Sequence, residues 1–198
     1  MNEGAILVVA ARDCAHLTER EHTPWAEIAL PLDWQFRPRA AVEEDEAWLQ
    51  LIPYVVLRDE RGAVWAYARR GGDGRLLGRR SVGVGGHIEE SDRRPTLLDT
   101  ARACAQRELA EELAQPEAAR LDPHPRGWIH ERETAIGRVH LGLVFAARWT
   151  TPEPPQPKPG EPLAAIGFLP PAAVRADDRF ERWSQLAVGL LSSRECES

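Results

Sequence analysis

Between residues 81 and 113 the chain changes its period, and that change restricts the folds open to it. Residues 81–88, SVGVGGHI, read as a glycine-rich strand running into a loop. Residues 95–113 then carry apolar side chains at helical spacing. Ala101, Ala105, Leu109 and Leu113 form an i, i+4 stripe, joined by Leu98. Pro95 suits the first turn of such a helix, and Pro116 stops it. Strand signals flank it on both sides, at 5–11, 51–57 and 63–68 before it and at 128–132, 139–149 and 163–169 after it. A second helix is predicted at 178–191, with Phe180, Trp183, Leu186, Ala187 and Leu190 on one face. Strands interrupted by one long helix and closed by another predict an α+β fold, a mixed sheet with helices packed on it.

The rest of the chain reads as connections. Residues 12–49 look irregular, with a short helix predicted at 42–49 over the acidic run VEEDEAW. Residues 59–62 (DERG) are a turn that makes 51–57 and 63–68 a hairpin. Gly71, Gly72 and Gly74 mark the next turn, and the proline-rich stretch 151–162 is a surface loop. At 198 residues the chain suits one globular domain with an elaboration. Its three cysteines are far apart and odd in number, so no disulfide framework is expected and a reducing cytoplasm is the natural compartment. The apolar run near the N-terminus is too short to span a membrane and lacks a basic leader. A formal net charge of −6 argues against a stable nucleic-acid partner. It leaves a nucleotide open, because a cation can bridge acidic protein and anionic phosphate.

The chemistry concentrates at the end of the long helix, in Arg107-Glu108-Leu109-Ala110-Glu111-Glu112-Leu113. At about 100° per residue the three glutamates share an arc of roughly 100°, beside the apolar stripe. Glu108 and Glu112 are an i, i+4 pair of like charge, which costs an isolated helix about 0.2–0.5 kcal/mol. A solvated acidic face would explain the glutamates alone. Gly83, Gly85 and Gly86 upstream change the weighing, because they let backbone approach a ligand or a metal closely. Hard cations such as Mg²⁺ take carboxylate oxygens and keep water for substrate phosphates.

These residues resemble the signature of the Nudix family, G-x5-E-x7-R-E-U-x-E-E-x-G-U with U aliphatic. Gly85-Gly86-His87-Ile88-Glu89 is similar to its opening, and Arg107-Glu108-Leu109-Ala110-Glu111-Glu112 to its second half. Placing Asp99 at the first glutamate, seven residues before Arg107, leaves twelve residues between Gly86 and Asp99 where the signature has five. The loop is then lengthened by seven, and Ala114 and Gln115 stand where the signature has Gly and an aliphatic residue. Other stretches resemble a bacterial Nudix subgroup of phosphoesterases, over most of residues 50–170.

The resemblance implies a Nudix fold, an α/β/α sandwich, with residues 50–198 as the hydrolase domain and 1–49 an elaboration packed on it. It implies a Mg²⁺-dependent hydrolase, with Mn²⁺ as a substitute, cleaving a diphosphate linkage in a nucleoside diphosphate derivative. Glu108, Glu111 and Glu112 would hold the metal with a backbone carbonyl near Gly86, and Arg107 would orient the box by ion pairing. A box glutamate, Glu161 or Glu133 would be the general base. Arg69, Arg79, Arg80 and His87 are candidates to meet substrate, His140 is a pocket-wall or core histidine, and Cys104 packs. Trp34, Trp48 or Trp128 could stack on a base. A catalytically inactive Nudix-fold binding domain and an isoprenoid-diphosphate isomerase are the alternatives, and a homodimer through the first 49 residues is a further expectation.

Overall fold

A computed structural model describes residues 4–25, 33–71, 77–116 and 120–191. The turn read at Gly72 and Gly74 lies outside the described residues, as does Cys196. Among the described residues, ten strands form one sheet: β1 (Ala5–Ala10), β2 (His22–Pro24), β3 (Trp34–Pro38), β4 (Trp48–Arg58), β5 (Val64–Arg69), β6 (Arg80–Ser81), β7 (Gly83–Val84), β8 (His124–Ile129), β9 (His140–Arg148) and β10 (Leu163–Leu169). The helices are α1 (Ala15–Thr18), α2 (Leu97–Glu112), α3 (Ala135–Arg138), α4 (Pro171–Ala176) and α5 (Arg182–Leu190).

The main path of the sheet is β10-β5-β4-β9-β8-β2. Strands β4 and β9 run parallel from Gln50–His140 to Arg58–Arg148, and the other pairs are antiparallel, so the sheet is mixed. Strand β4 explains the architecture. Its alternate residues Leu49, Leu51, Val55 and Leu57 pack in one core with Ala101, Cys104, Ala105, Leu109 and Leu113 of α2. The intervening Tyr54 and Val56 join a second core with Val174 of α4 and Leu186, Ala187 and Leu190 of α5. Covered on both faces, a strand reads as an unbroken apolar run, which is what LIPYVVL is. The result is an α+β, three-layer sandwich with the glutamate helix on one face. Pro53 sits on a β4 edge shared by β1 at residues 48–50 and β7 at 55–56, in the gap between those ladders.

Several elements differ from the sequence reading. No helix forms at 42–49; Trp48, Leu49 and Gln50 pair with Ala10, Val9 and Val8, so sheet pairing wins over a run of like-charged side chains. The first 49 residues thus contribute β1, β2 and β3 to the sheet itself. Strand β8 begins at His124 and ends at Ile129, earlier than predicted, and Glu131 then caps the turn that follows through Thr134 N, at 2.8 Å. Pro95 lies outside α2: Thr96 is its N-cap, with Oγ1 accepting from Asp99 N at 3.1 Å. Helix α5 starts at Arg182, and buried Phe180 precedes it in extended chain.

Candidate active site

Strand β7 delivers the glycines to α2. A Cβ at Gly85 would run into the Pro53 carbonyl, and one at Gly86 into the Glu108 carboxylate, so both positions demand the missing side chain. The Gly86 carbonyl faces α2, where the Cys104 thiol reaches it at 3.8 Å. Burial pushes that thiol well above its ordinary pKa, which keeps it a packing group.

Arg107 is the hub beneath the glutamates. Its Nε and Nη2 donate to Asp92 Oδ1 and Oδ2 at 3.1 and 2.9 Å, and Nη2 also donates to the His87 carbonyl at 3.1 Å. Nη1 bridges Glu108 Oε1 and Glu111 Oε2, at 2.8 and 3.0 Å. Arg107 thus joins the two glutamates to the loop before the helix. Its acidic partner ahead of α2 is Asp92. Asp92 is buried, and it also accepts from Glu89 N at 3.0 Å to close a capping box over a 3₁₀ turn. Asp99 sits instead in the first turn of α2, bonded to Thr96 and Arg102. The sequence held the signal: five residues separate Gly86 from Asp92, the spacing of the signature. The seven extra residues lie after Asp92, ahead of Arg107, and Arg93 among them stacks over Phe36 of β3 at 4.6 Å.

Glu112 differs from its neighbours. Its Oε2 is shut from solvent with no hydrogen-bond partner. Burial pushes its carboxyl up to about 8, with Glu108, Glu161 and Glu111 adding to the rise and Arg69 opposing it. Glu108 is raised too, by burial first, with Arg107 pulling the other way. Among the described residues no set of three His, Cys, Asp or Glu side chains converges into a ready-made cage. Arg107 accounts for that, since its guanidinium stands between Glu108 and Glu111. The donor chemistry nevertheless fits a hard divalent cation: three carboxylates on one helix arc, an orphaned buried oxygen at Glu112, and a facing carbonyl at Gly86.

The remaining candidates sort themselves by contact. Arg69 is mostly buried and lies 3.4 Å from Glu181 Oε2. Burial works against its charge, but Tyr67, Glu181, Tyr54 and Glu112 around it raise its pKa, so it stays a cation next to the glutamates. Arg80 is spent on Asp177 at 3.0 Å and Arg79 on the Phe180 carbonyl at 2.6 Å, both structural pairs at the foot of α5. His87 is a wall residue: its Nε2 bonds Gln50 Oε1 at 2.8 Å, and His140 Nε2 lies at 3.4 Å. Burial, with His140 and Arg39, lowers it to about 3, so it is neutral and no cationic phosphate ligand. Trp128 is fully buried against Trp25, and Trp48 lies under Arg37 at 3.7 Å, so neither offers a free face of the kind a base would need.

Two groups escaped the sequence reading. Glu181 accepts from Tyr54 Oη at 2.8 Å and Ser81 Oγ at 2.6 Å, and so ties α5 to the strands that carry Arg69 and the glycines. The proline-rich stretch is not a free loop. Lys158 N donates to the Glu112 carbonyl at 2.8 Å, Ala114 N to the Gln156 carbonyl at 2.8 Å and Glu161 N to the Lys158 carbonyl at 3.1 Å, and the Glu161 charge adds to the rise at Glu112. Glu133 lies elsewhere, in an exposed turn after β8.

Comparison with known proteins identifies the family. A NUDIX domain model matches residues 48–187, so the chain belongs to the Nudix family and is a hydrolase acting on phosphoric anhydride bonds. Protein YmaB of Bacillus subtilis (strain 168) is 31% identical over 173 residues, spanning 84% of this chain and 83% of that protein. The crystal structure of Tm1382, a chain assigned to the Nudix hydrolases, shares the fold with a TM-score of 0.68 and 23% identity, over 94% of this chain and 97% of that one. No helix among the described residues is long and apolar enough to cross a membrane.

Proposed function

We propose that this chain cleaves the diphosphate linkage of a nucleoside diphosphate derivative with the aid of Mg²⁺, for which Mn²⁺ substitutes. Glu108, Glu111, Glu112 and the Gly86 carbonyl would hold the ion. When bound, it supplies charge neutralisation at the phosphate oxygens and a nucleophile at neutral pH. The observation that carries this reading is the buried, unpartnered Oε2 of Glu112. A protein keeps such an oxygen at a cost of about 1–3 kcal/mol unless a ligand satisfies it.

The protein's own groups supply the rest. Arg107, anchored on Asp92, holds Glu108 and Glu111 on the face that Glu112 shares. Arg69 places a fixed positive charge beside that face, suited to a substrate phosphate. Glu161, on the strap that returns along the end of α2, is the base that takes a proton from the attacking water. Binding of substrate would exclude water from the Arg69 side and strengthen each of these interactions.

The test is a hydrolysis screen of ADP-ribose, nucleoside triphosphates and dinucleoside polyphosphates with and without Mg²⁺, beside Glu112→Gln. Mg²⁺-dependent turnover that the variant loses is the expected result. Capture of an intact nucleotide with no product would favour a binding domain, and a Mg²⁺-independent rate would refute the metal reading.

A further inference from the structure

We infer that Lys158 is a positioning residue, which clamps the proline-rich strap onto the end of α2 and so holds Glu161 beside Glu112. The inference rests on the reading of Glu161 as base given above. Lys158 is the only lysine in a chain whose lysines and arginines number 25 together. It stands where the helix needs it. The Nudix signature puts glycine two residues after the glutamate pair, a position suited to a left-handed helix cap. Here that residue is Ala114, and no described non-glycine residue has positive φ. The helix ends instead with Leu113 in extended conformation, at φ −104° and ψ 140°.

The last carbonyls of α2 therefore need outside donors. Lys158 supplies two of them, its ammonium to the Ala110 carbonyl and its backbone N–H to that of Glu112. A cation there also complements the helix dipole. A seam continues the contact: Leu113 pairs with Pro157, Ala114 N donates to Gln156 O, and the Gln115 side chain bonds Pro154 O and Gln156 N at 3.0 Å each. The strap then returns. Glu161 N donates to Lys158 O at 3.1 Å, and Arg70 N to Pro162 O at 2.7 Å, next to Arg69. Glu161 is thus pinned between Lys158 on the Glu112 side and Pro162 on the Arg69 side. A compact ammonium with three rotatable donors suits a helix terminus better than a planar guanidinium fork.

Two measurements on the full chain test this. Amide hydrogen exchange at Glu161 and Ala114 should quicken at least tenfold in Lys158→Ala, and Lys158→Arg should recover part of it, with the thermal midpoint little moved. Turnover of whichever compound the Mg²⁺ screen identifies should fall roughly 10–100-fold in kcat with KM nearly constant, the scale of a small misplacement of a reacting group. The loss should vanish when Glu161 is already Gln, because the lysine acts through it. Unchanged exchange, or losses that multiply in the double variant, would overturn the proposal. A wild type that turns over nothing while strap exchange still depends on Lys158 would sink the hydrolase mechanism and leave the clamp standing.

Discussion

Two carboxylates on helices packed against this sheet have opposite fates. Glu181, at the foot of α5, gives one oxygen to Tyr54 and Ser81 and turns the other toward Arg69. Glu112, at the end of α2, keeps an oxygen with no partner and a pKa raised to about 8. The first joins a network that fastens three strands to a helix. The second is unfinished, and an unfinished buried acid is a ligand site or a fault. The difference teaches where to look for chemistry: in the acid whose bonding is left incomplete, more than in the acid most deeply buried.

Substitutions should separate the two. Glu112→Gln should lower turnover by roughly 10³-fold, about 4 kcal/mol of transition-state stabilisation, with the fold intact by circular dichroism; an active variant would erase the distinction. Glu181→Ala should do the reverse. It strands Tyr54, Ser81 and Arg69, and chemical denaturation should register a loss of roughly 3 kcal/mol. Within the hub, Asp92→Asn should cost about 2 kcal/mol, because it weakens a buried charge pair, whereas Asp99→Asn at the exposed first turn should cost under about 0.5 kcal/mol. Equal effects would return the orienting role to Asp99.

A further difference between the two acids concerns pH. Glu112 has a folded pKa above its ordinary value of 4.5, so ionising it opposes folding. Its contribution is fully present below about pH 4.5 and is lost as pH rises toward 8. In metal-free protein the stability advantage of Glu112→Gln over wild type should therefore widen across that window and level off above it. Thermal melts at pH 5, 6.5 and 8 check this, and a constant gap would mean that Glu112 is solvated.

The sequence made the local features legible and hid the long-range ones. The glutamate arc needs only helical periodicity, and the apolar runs of β4 and β9 follow from burial on both faces. Five residues separate Gly86 from Asp92 and seven separate Asp99 from Arg107, so spacing alone fits the insertion on either side of the acid. The roles of Arg80 and His87 could not be read locally, because Asp177 and His140, which engage them, lie far along the chain. Glu181 finds Tyr54 across 127 residues, a contact no periodicity announces. Strands β2 and β3 have three and five residues, too few for an alternating pattern to emerge.

The most direct test of the central claim, that Glu112 is left unpaired to take a divalent cation, is a Mn²⁺ titration of the metal-free protein followed by electron paramagnetic resonance, run beside Glu112→Gln. Saturable binding that the substitution weakens by roughly 10–100-fold is the expected result. Equal affinity in the two proteins, or no binding in either, would contradict it.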